Sequence, residues 1–319
     1  MRILSRLSRI GASFALGLIA AAMVTPAAAV ETRYNDFAPL EPGIWRLDMS
    51  LGASHYKRLF GTNPIGNGNA FDYDGERIKP EQSPGPSAYT SYVAEGRITY
   101  ESTVFNMPAR LLYSLPLRNN DPKDSGYRSN LGFDDANYGF TVWPYSVDDD
   151  ETHLGIGFLA NFGSGHVQKY SSVPISNRRP SGSLLVGYHY RAPFDLGVQL
   201  ESVFTYTKFG KVLTDLSYQT KKDLFELHQW ANYNIDDIFS VNSSLKLSMG
   251  GSLKTMNGGL DQKGSWRDYN NPNGVNFSVG GVYSLSENWQ FTTDVSTDIV
   301  RVNGDRETIG FYAHSIYRF

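Results

Sequence analysis

The sequence predicts an all-β chain: an up-and-down antiparallel transmembrane β-barrel of about twelve strands, with both termini periplasmic. Three observations predict it. Long segments alternate apolar and polar residues with a period of two. The connections between them alternate long and short. The chain opens with an export signal, and no later apolar run reaches the ~18 residues of a helical span.

The export signal occupies residues 1–29. Arg2, Arg6 and Arg9 make a basic start, residues 10–24 are uncharged and apolar, and Pro26-Ala27-Ala28-Ala29 offers an A-x-A cleavage site. Residues 30–42 then form a short lead before the first strand. Tyr34 and Phe37 give it the means to tuck into the lumen as a small plug; a disordered lead is the alternative. The barrel itself is expected over residues 43–319.

Twelve segments carry the strand pattern: 43–58, 88–105, 109–118, 136–146, 152–163, 182–191, 195–208, 223–234, 239–256, 274–285, 288–302 and 306–319. In the last, Ile309, Phe311, Ala313, Ser315, Tyr317 and Phe319 alternate with Thr308, Gly310, Tyr312, His314, Ile316 and Arg318. Phe291, Val295 and Ile299 likewise interleave with Gln290, Asp294 and Asp298, and Leu154, Ile156 and Phe158 with His153, Gly155 and Gly157. A soluble sandwich also alternates. These segments, however, exceed its usual ~5–6 residues and suit the ~9–11 of a membrane strand.

Connections after segments 1, 3, 5, 7 and 9 are long, and those after 2, 4, 6, 8 and 10 are tight, around 106–108, 147–151, 192–194, 235–238 and 286–287. Residues 303–305 are short where a long loop is due. Long outer loops over tight periplasmic turns are what an outer-membrane barrel shows, and an even strand count closes it without an edge. The chain ends on Phe319, an aromatic on the lipid-facing set, which is the address read by the barrel-assembly machinery.

Composition narrows the rest. Removing Arg2, Arg6 and Arg9 from the 29 basic residues leaves 26 against 32 acidic ones, a balance that disfavours nucleic acid as a partner. With no cysteine there is neither a disulfide framework nor a lipidated Cys anchor. The 20 Tyr and 18 Phe suit aromatic girdles.

Leu40-Glu41-Pro42-Gly43 at the first strand, Leu131-Gly132-Phe133-Asp134-Asp135 before the fourth and Phe162-Gly163-Ser164-Gly165 after the fifth carry a family resemblance. In order and spacing the chain resembles a family of exported barrels named for a MetA-type meta-cleavage pathway of phenol degradation. Gly163 stands where that family has Pro, and Phe133 interrupts its Gly-Leu-Gly-Asp form. The resemblance implies transport of small, often aromatic, compounds.

With the apolar set facing lipid, the lumen receives Arg46, Asp48, Glu95, Arg97, Glu101, Arg110, His153, His189 and Arg191 from the first six segments. Later segments add Glu201, Glu226, His228, Lys246, Lys254, Asp294, Asp298, His314 and Arg318. These either pair across a narrow interior and stiffen it, or form a lining that selects solutes by charge. Outer-loop cations Lys169, Arg178, Arg179, Lys208, Lys211, Lys221 and Lys222 are placed to meet lipopolysaccharide phosphates. Asp72-Tyr73-Asp74-Gly75-Glu76 lacks positions that a calcium loop needs. Asp148-Asp149-Asp150-Glu151 suits a solvated turn, and Gly66-Asn67-Gly68-Asn69 precedes no helix, so it is not a phosphate loop.

No catalytic residue, metal ligand or cofactor site is expected, since no His is followed two residues later by Ser as in outer-membrane lipid hydrolases. The reading is therefore passive, selective uptake of a small molecule through the outer membrane, in contact with its lipid and lipopolysaccharide. The alternatives are an outer-leaflet lipid-modifying enzyme and a structural or adhesive barrel without transport.

Overall fold

In a computed structural model, residues 37–59, 88–123, 129–147, 152–163, 179–191, 197–210, 217–251, 273–301 and 304–319 are described, with short pieces at 70–71, 77–78, 212–213, 253–257 and 266–269. Twelve antiparallel strands form one closed barrel. They are β1 Trp45–Leu59, β2 Ala88–Val104, β3 Met107–Pro122, β4 Asn137–Val147, β5 Thr152–Asn161 and β6 Ser181–Arg191. Then follow β7 Val198–Phe209, β8 Leu224–Asn234, β9 Phe239–Gly250, β10 Gly274–Ser286, β11 Trp289–Arg301 and β12 Gly304–Arg318. Each pairs with its neighbours in sequence, and β1 closes onto β12. At that seam Trp45 and Phe319 exchange both backbone hydrogen bonds at 2.9 Å. A closed ladder satisfies every strand edge, which lipid cannot do.

The barrel is inside-out. Leu51, Leu111, Ile156, Val186, Leu200, Val279, Val295 and Phe311 are exposed on its outer face, while Asp48, Thr99, Glu101, Gln290 and Asp298 are buried within. Exposed aromatics gather at both ends of the outer wall. Trp45, Tyr145, Tyr188, Tyr233, Tyr283 and Tyr317 lie towards the tight turns, and Tyr92, Tyr138, Phe162, Phe225 and Phe277 towards the long loops. An apolar band between two aromatic girdles is the surface of a membrane barrel.

Strand bounds depart from the sequence reading where local backbone geometry intervenes. The turn expected over 106–108 is instead Phe105-Asn106, with φ of 51° and 62°. Val104 thus faces Met107, and β3 runs through to Pro122. Two successive positive φ values are those of the hairpin turn that prefers Asn-Gly. Phe105→Asn with Asn106→Gly should therefore raise stability by about 1 kcal/mol, read as a higher urea midpoint for the refolded barrel.

The segment expected as one strand over 239–256 breaks after Gly250, where Gly250 and Gly251 have φ of 90° and 66°. Leu253–Asn257 leaves the wall and joins Ser217–Lys221, Val212–Leu213 and Trp266–Tyr269 in a small sheet on the loop side. The third departure lies in β12. A bulge between His55 and Tyr56 of β1 leaves Thr308 without a register partner, so Tyr56 pairs with Glu307. Thr308, expected in the lumen, instead donates its hydroxyl to His55 O at 3.0 Å. Glu307 turns inward in its place.

Candidate functional site

Of the eighteen ionisable residues expected to line the lumen, all but Lys254 occupy the inward set of their strands, and most are drawn together in pairs. Four pairs are set in the wall, three of them buried on both sides and the fourth with its arginine part-exposed. Arg46 Nη2 lies 2.8 Å from Asp48 Oδ2, both side chains being 1% exposed or less. Arg110 Nε meets Glu101 Oε1 at 2.5 Å, and His189 Nδ1 meets Glu201 Oε2 at 3.2 Å. Arg301 Nη2 holds Asp298 at 3.0 Å. Burying an arginine with a carboxylate is tolerable only with close geometry and extra hydrogen bonds, so the arginine pairs act as framework.

Three other pairs are more open to the lumen: Arg97–Glu95 at 3.5 Å, His314–Asp294 at 3.4 Å and Lys246–Glu226 at 2.8 Å. His228 stands opposite Lys246 in the β8–β9 register. Arg191 faces Gln199 and Arg318 faces Arg46. His153 is buried with its Nδ1 2.8 Å from Ser146 Oγ, and its ring is 5.8 Å from that of His189. The side chain of Lys254 lies outside the described residues, as do residues 1–36, the acidic stretches at 72–76 and 148–151, and Lys169, Arg178 and Lys211. Arg179, expected among the outward loop cations, is buried and donates from Nη1 to Gly210 O at 2.9 Å.

The segment before β1 runs inside the barrel. Gly43 N–H donates to Glu101 O, and Arg110 Nη2 donates to Ala38 O at 2.7 Å. Phe37 N–H donates to Glu201 Oε2 at 2.8 Å, and Trp143 Nε1 donates to Phe37 O at 2.7 Å. The Phe37 ring meets Trp143 edge-on at 5.8 Å. It rests on two glycines of neighbouring strands, because a Cβ at Gly155 or Gly187 would overlap it. The Arg110 guanidinium lies 5.2 Å over the Trp143 ring, a cation–π contact that ties the lead's anchor to the wall. Farther along the same wall, Leu112 and Leu159 meet over Gly139, and Leu185 sits beside Gly157. The lumen therefore has an apolar stripe on β3–β6 beside its charged pairs.

A second cluster was hidden from the sequence by the β12 bulge. Tyr56 OH donates to Glu307 Oε2 at 3.3 Å, and Tyr89 OH donates to Asp305 Oδ2 at 3.2 Å. The two tyrosine rings stack at 5.0 Å. Ser296 also donates to Glu307, whose own N–H donates to Asp298 Oδ2 at 2.8 Å. Ser54 Oγ and Tyr312 OH are 2.5 Å apart. These groups bind β1, β2, β11 and β12 together near the loop end. Outside the strands, burial pushes the Asp134 carboxyl up, with Arg118 Nε at 3.0 Å pulling against it.

The same architecture is found in the COG4313 outer membrane channel from Pseudomonas putida F1. The two share 14% identity with a TM-score of 0.71, over 91% of this chain and 100% of that one. A Pseudomonas putida toluene transporter, TodX, overlaps more loosely, at 9% identity and a TM-score of 0.41, over 92% and 95% of the two chains. No curated protein matches the sequence. An inside-out barrel of this architecture lies in the outer membrane. The leading resemblance in the sequence is borne out as well, because a family model matches residues 80–307, the span from β2 into β12. The chain belongs to the family described as "Putative MetA-pathway of phenol degradation".

Proposed function

We propose that this barrel is a passive, selective channel that admits a small aromatic or otherwise hydrophobic solute across the outer membrane, and that it is not an enzyme. The observation that carries this reading is the lead lodged in the lumen. Phe37, held at its backbone by Glu201 and Trp143, narrows the passage beside the stripe of Leu112, Leu159 and Leu185. A wide, uniformly polar bore would suit a general porin; an apolar stripe in a narrowed bore suits solutes that prefer not to be hydrated. The family's connection with phenol degradation and the channel from Pseudomonas putida support the same reading. No energy source is needed for downhill passage.

In this reading residues 1–29 are removed after export, both termini face the periplasm, and residues 37–42 are the visible part of a plug. The outward aromatics face lipid, and exposed cations at the loop end of the wall, such as Lys208 of β7, face lipopolysaccharide phosphates. Phe319 addresses the chain to the assembly machinery. Single-channel recording of the refolded mature protein, with neutral aromatic solutes added, tests the core of the proposal. Discrete openings interrupted by such a solute are expected. Silence from protein shown to be folded, together with lipid release, would replace the channel by a lipid-modifying enzyme; silence alone would leave a structural barrel.

A further inference from the structure

The lead lies against the half of the wall formed by β2 to β7, through Glu101, Arg110, Trp143, Gly155, Gly187 and Glu201. The passage beside it is therefore faced by β8 to β12. On that side β8 presents Glu226, His228 and Trp230 in succession, and β9 presents Lys246 and Ser248 opposite them. In this ion pair both side chains are more than a fifth exposed, Lys246 at 41% and Glu226 at 21%. Ser248 Oγ donates to Glu226 Oε1 at 3.3 Å, the same oxygen that meets Lys246. The His228 and Trp230 rings lie together, centroids 3.4 Å apart at 35°.

We infer that Trp230, His228, Glu226 and Lys246 form a recognition station for a neutral aromatic ring bearing a hydroxyl group, a deepening that rests on the channel reading above. The aromatic pair offers apolar area and a ring face for stacking. The ion pair supplies an acceptor and a donor side by side. A carboxylate has lone pairs for more than two bonds and an ammonium has three N–H groups, so a bridging hydroxyl can donate to Glu226 and accept from Lys246. Charge decides against ions. A carboxylate solute would meet Lys246 already neutralised by Glu226, with Asp294 also facing the lumen. A cation would meet Lys246 itself, and either ion would give up its hydration shell. A ring without a hydroxyl would cover the pair and leave its polar atoms without water, which is how hydroxyl-binding sites reject deoxy analogues.

The test uses the refolded mature protein in lipid nanodiscs, with 19F NMR of 4-fluorophenol, 4-fluorotoluene and 4-fluorobenzoate, and empty nanodiscs to subtract partition into lipid. Saturable binding of 4-fluorophenol is expected, at least about ten-fold tighter than the other two. Trp230→Ala should weaken it by about ten-fold, the scale of a lost aromatic contact. Glu226→Gln and Lys246→Met should each erase the preference over 4-fluorotoluene while leaving a heat-modifiable, folded barrel. Binding that is equal for the three probes, or unchanged in all three variants, overturns the station. Planar-bilayer conductance of the same preparations separates the two readings. Current with no effect of the variants on binding sinks the station and keeps the channel. Variant-sensitive binding without current sinks the channel and keeps the station.

Discussion

Glu101→Ala is expected to cost about 3–5 kcal/mol of barrel stability, because it strands a buried guanidinium without its counter-charge. Arg110 is 6% exposed, and Glu101 is its partner at 2.5 Å. Arg110 also donates to Ala38 O and stacks over Trp143, so its displacement should loosen the lead as well as the wall. Urea titration of the refolded protein in lipid, followed by heat-modifiable migration, would register the loss as a lower midpoint. The decisive comparison is the double substitution Glu101→Leu with Arg110→Met. If the penalty is the unpaired charge, the double variant recovers most of it, since apolar residues of similar volume replace a buried pair at little cost. A double variant as unstable as Glu101→Ala would mean that packing, and not charge, sets the effect.

Removing the Phe37 side chain should raise single-channel conductance several-fold. The ring fills the space over Gly155 and Gly187, and its loss widens the passage there. Gly187→Val added to Phe37→Ala should cancel part of that gain, since its branched side chain would occupy the ring's seat. The two substitutions should therefore not add, because sites sharing one contact are not independent. Conductance that stays at the wild-type level in Phe37→Ala would show that the narrowest point of the passage lies elsewhere.

Much of this architecture could be read in advance because lipid imposes a rigid rule on strands. Every second residue of a membrane strand must be apolar outside, so Leu154, Ile156 and Phe158 declare one face and His153, Gly155 and Gly157 the other. That rule placed seventeen inward ionisable residues without any knowledge of their partners. It failed at Glu307, because a bulge shifts the alternation by one residue and leaves no mark in the sequence. It also could not foresee that Gly250 and Gly251 would turn the chain out of the wall, since the apolar pattern continues into Leu253. Trp230 was within reach, standing two residues from His228 on the same face, but a lone tryptophan reads as girdle until its neighbours are seen. The pairing of inward charges needed register, which alternation alone does not fix.

The meeting of Tyr312 with Gly52 has a bearing on how the cylinder is made. Gly52 stands opposite Tyr312 across the closing seam, and any side chain there would collide with the tyrosine ring. The inward positions of β1 on either side are Ser50 and Ser54, both carrying a Cβ. A joint slipped by two residues would keep every apolar residue outward, yet it would drive the ring into a serine and part Tyr56 from Glu307. The first and last strands to be synthesised thus carry a lock and key that proof-reads their own union. Zippering that starts out of step would meet that collision before the cylinder is sealed, so one missing side chain favours the correct union.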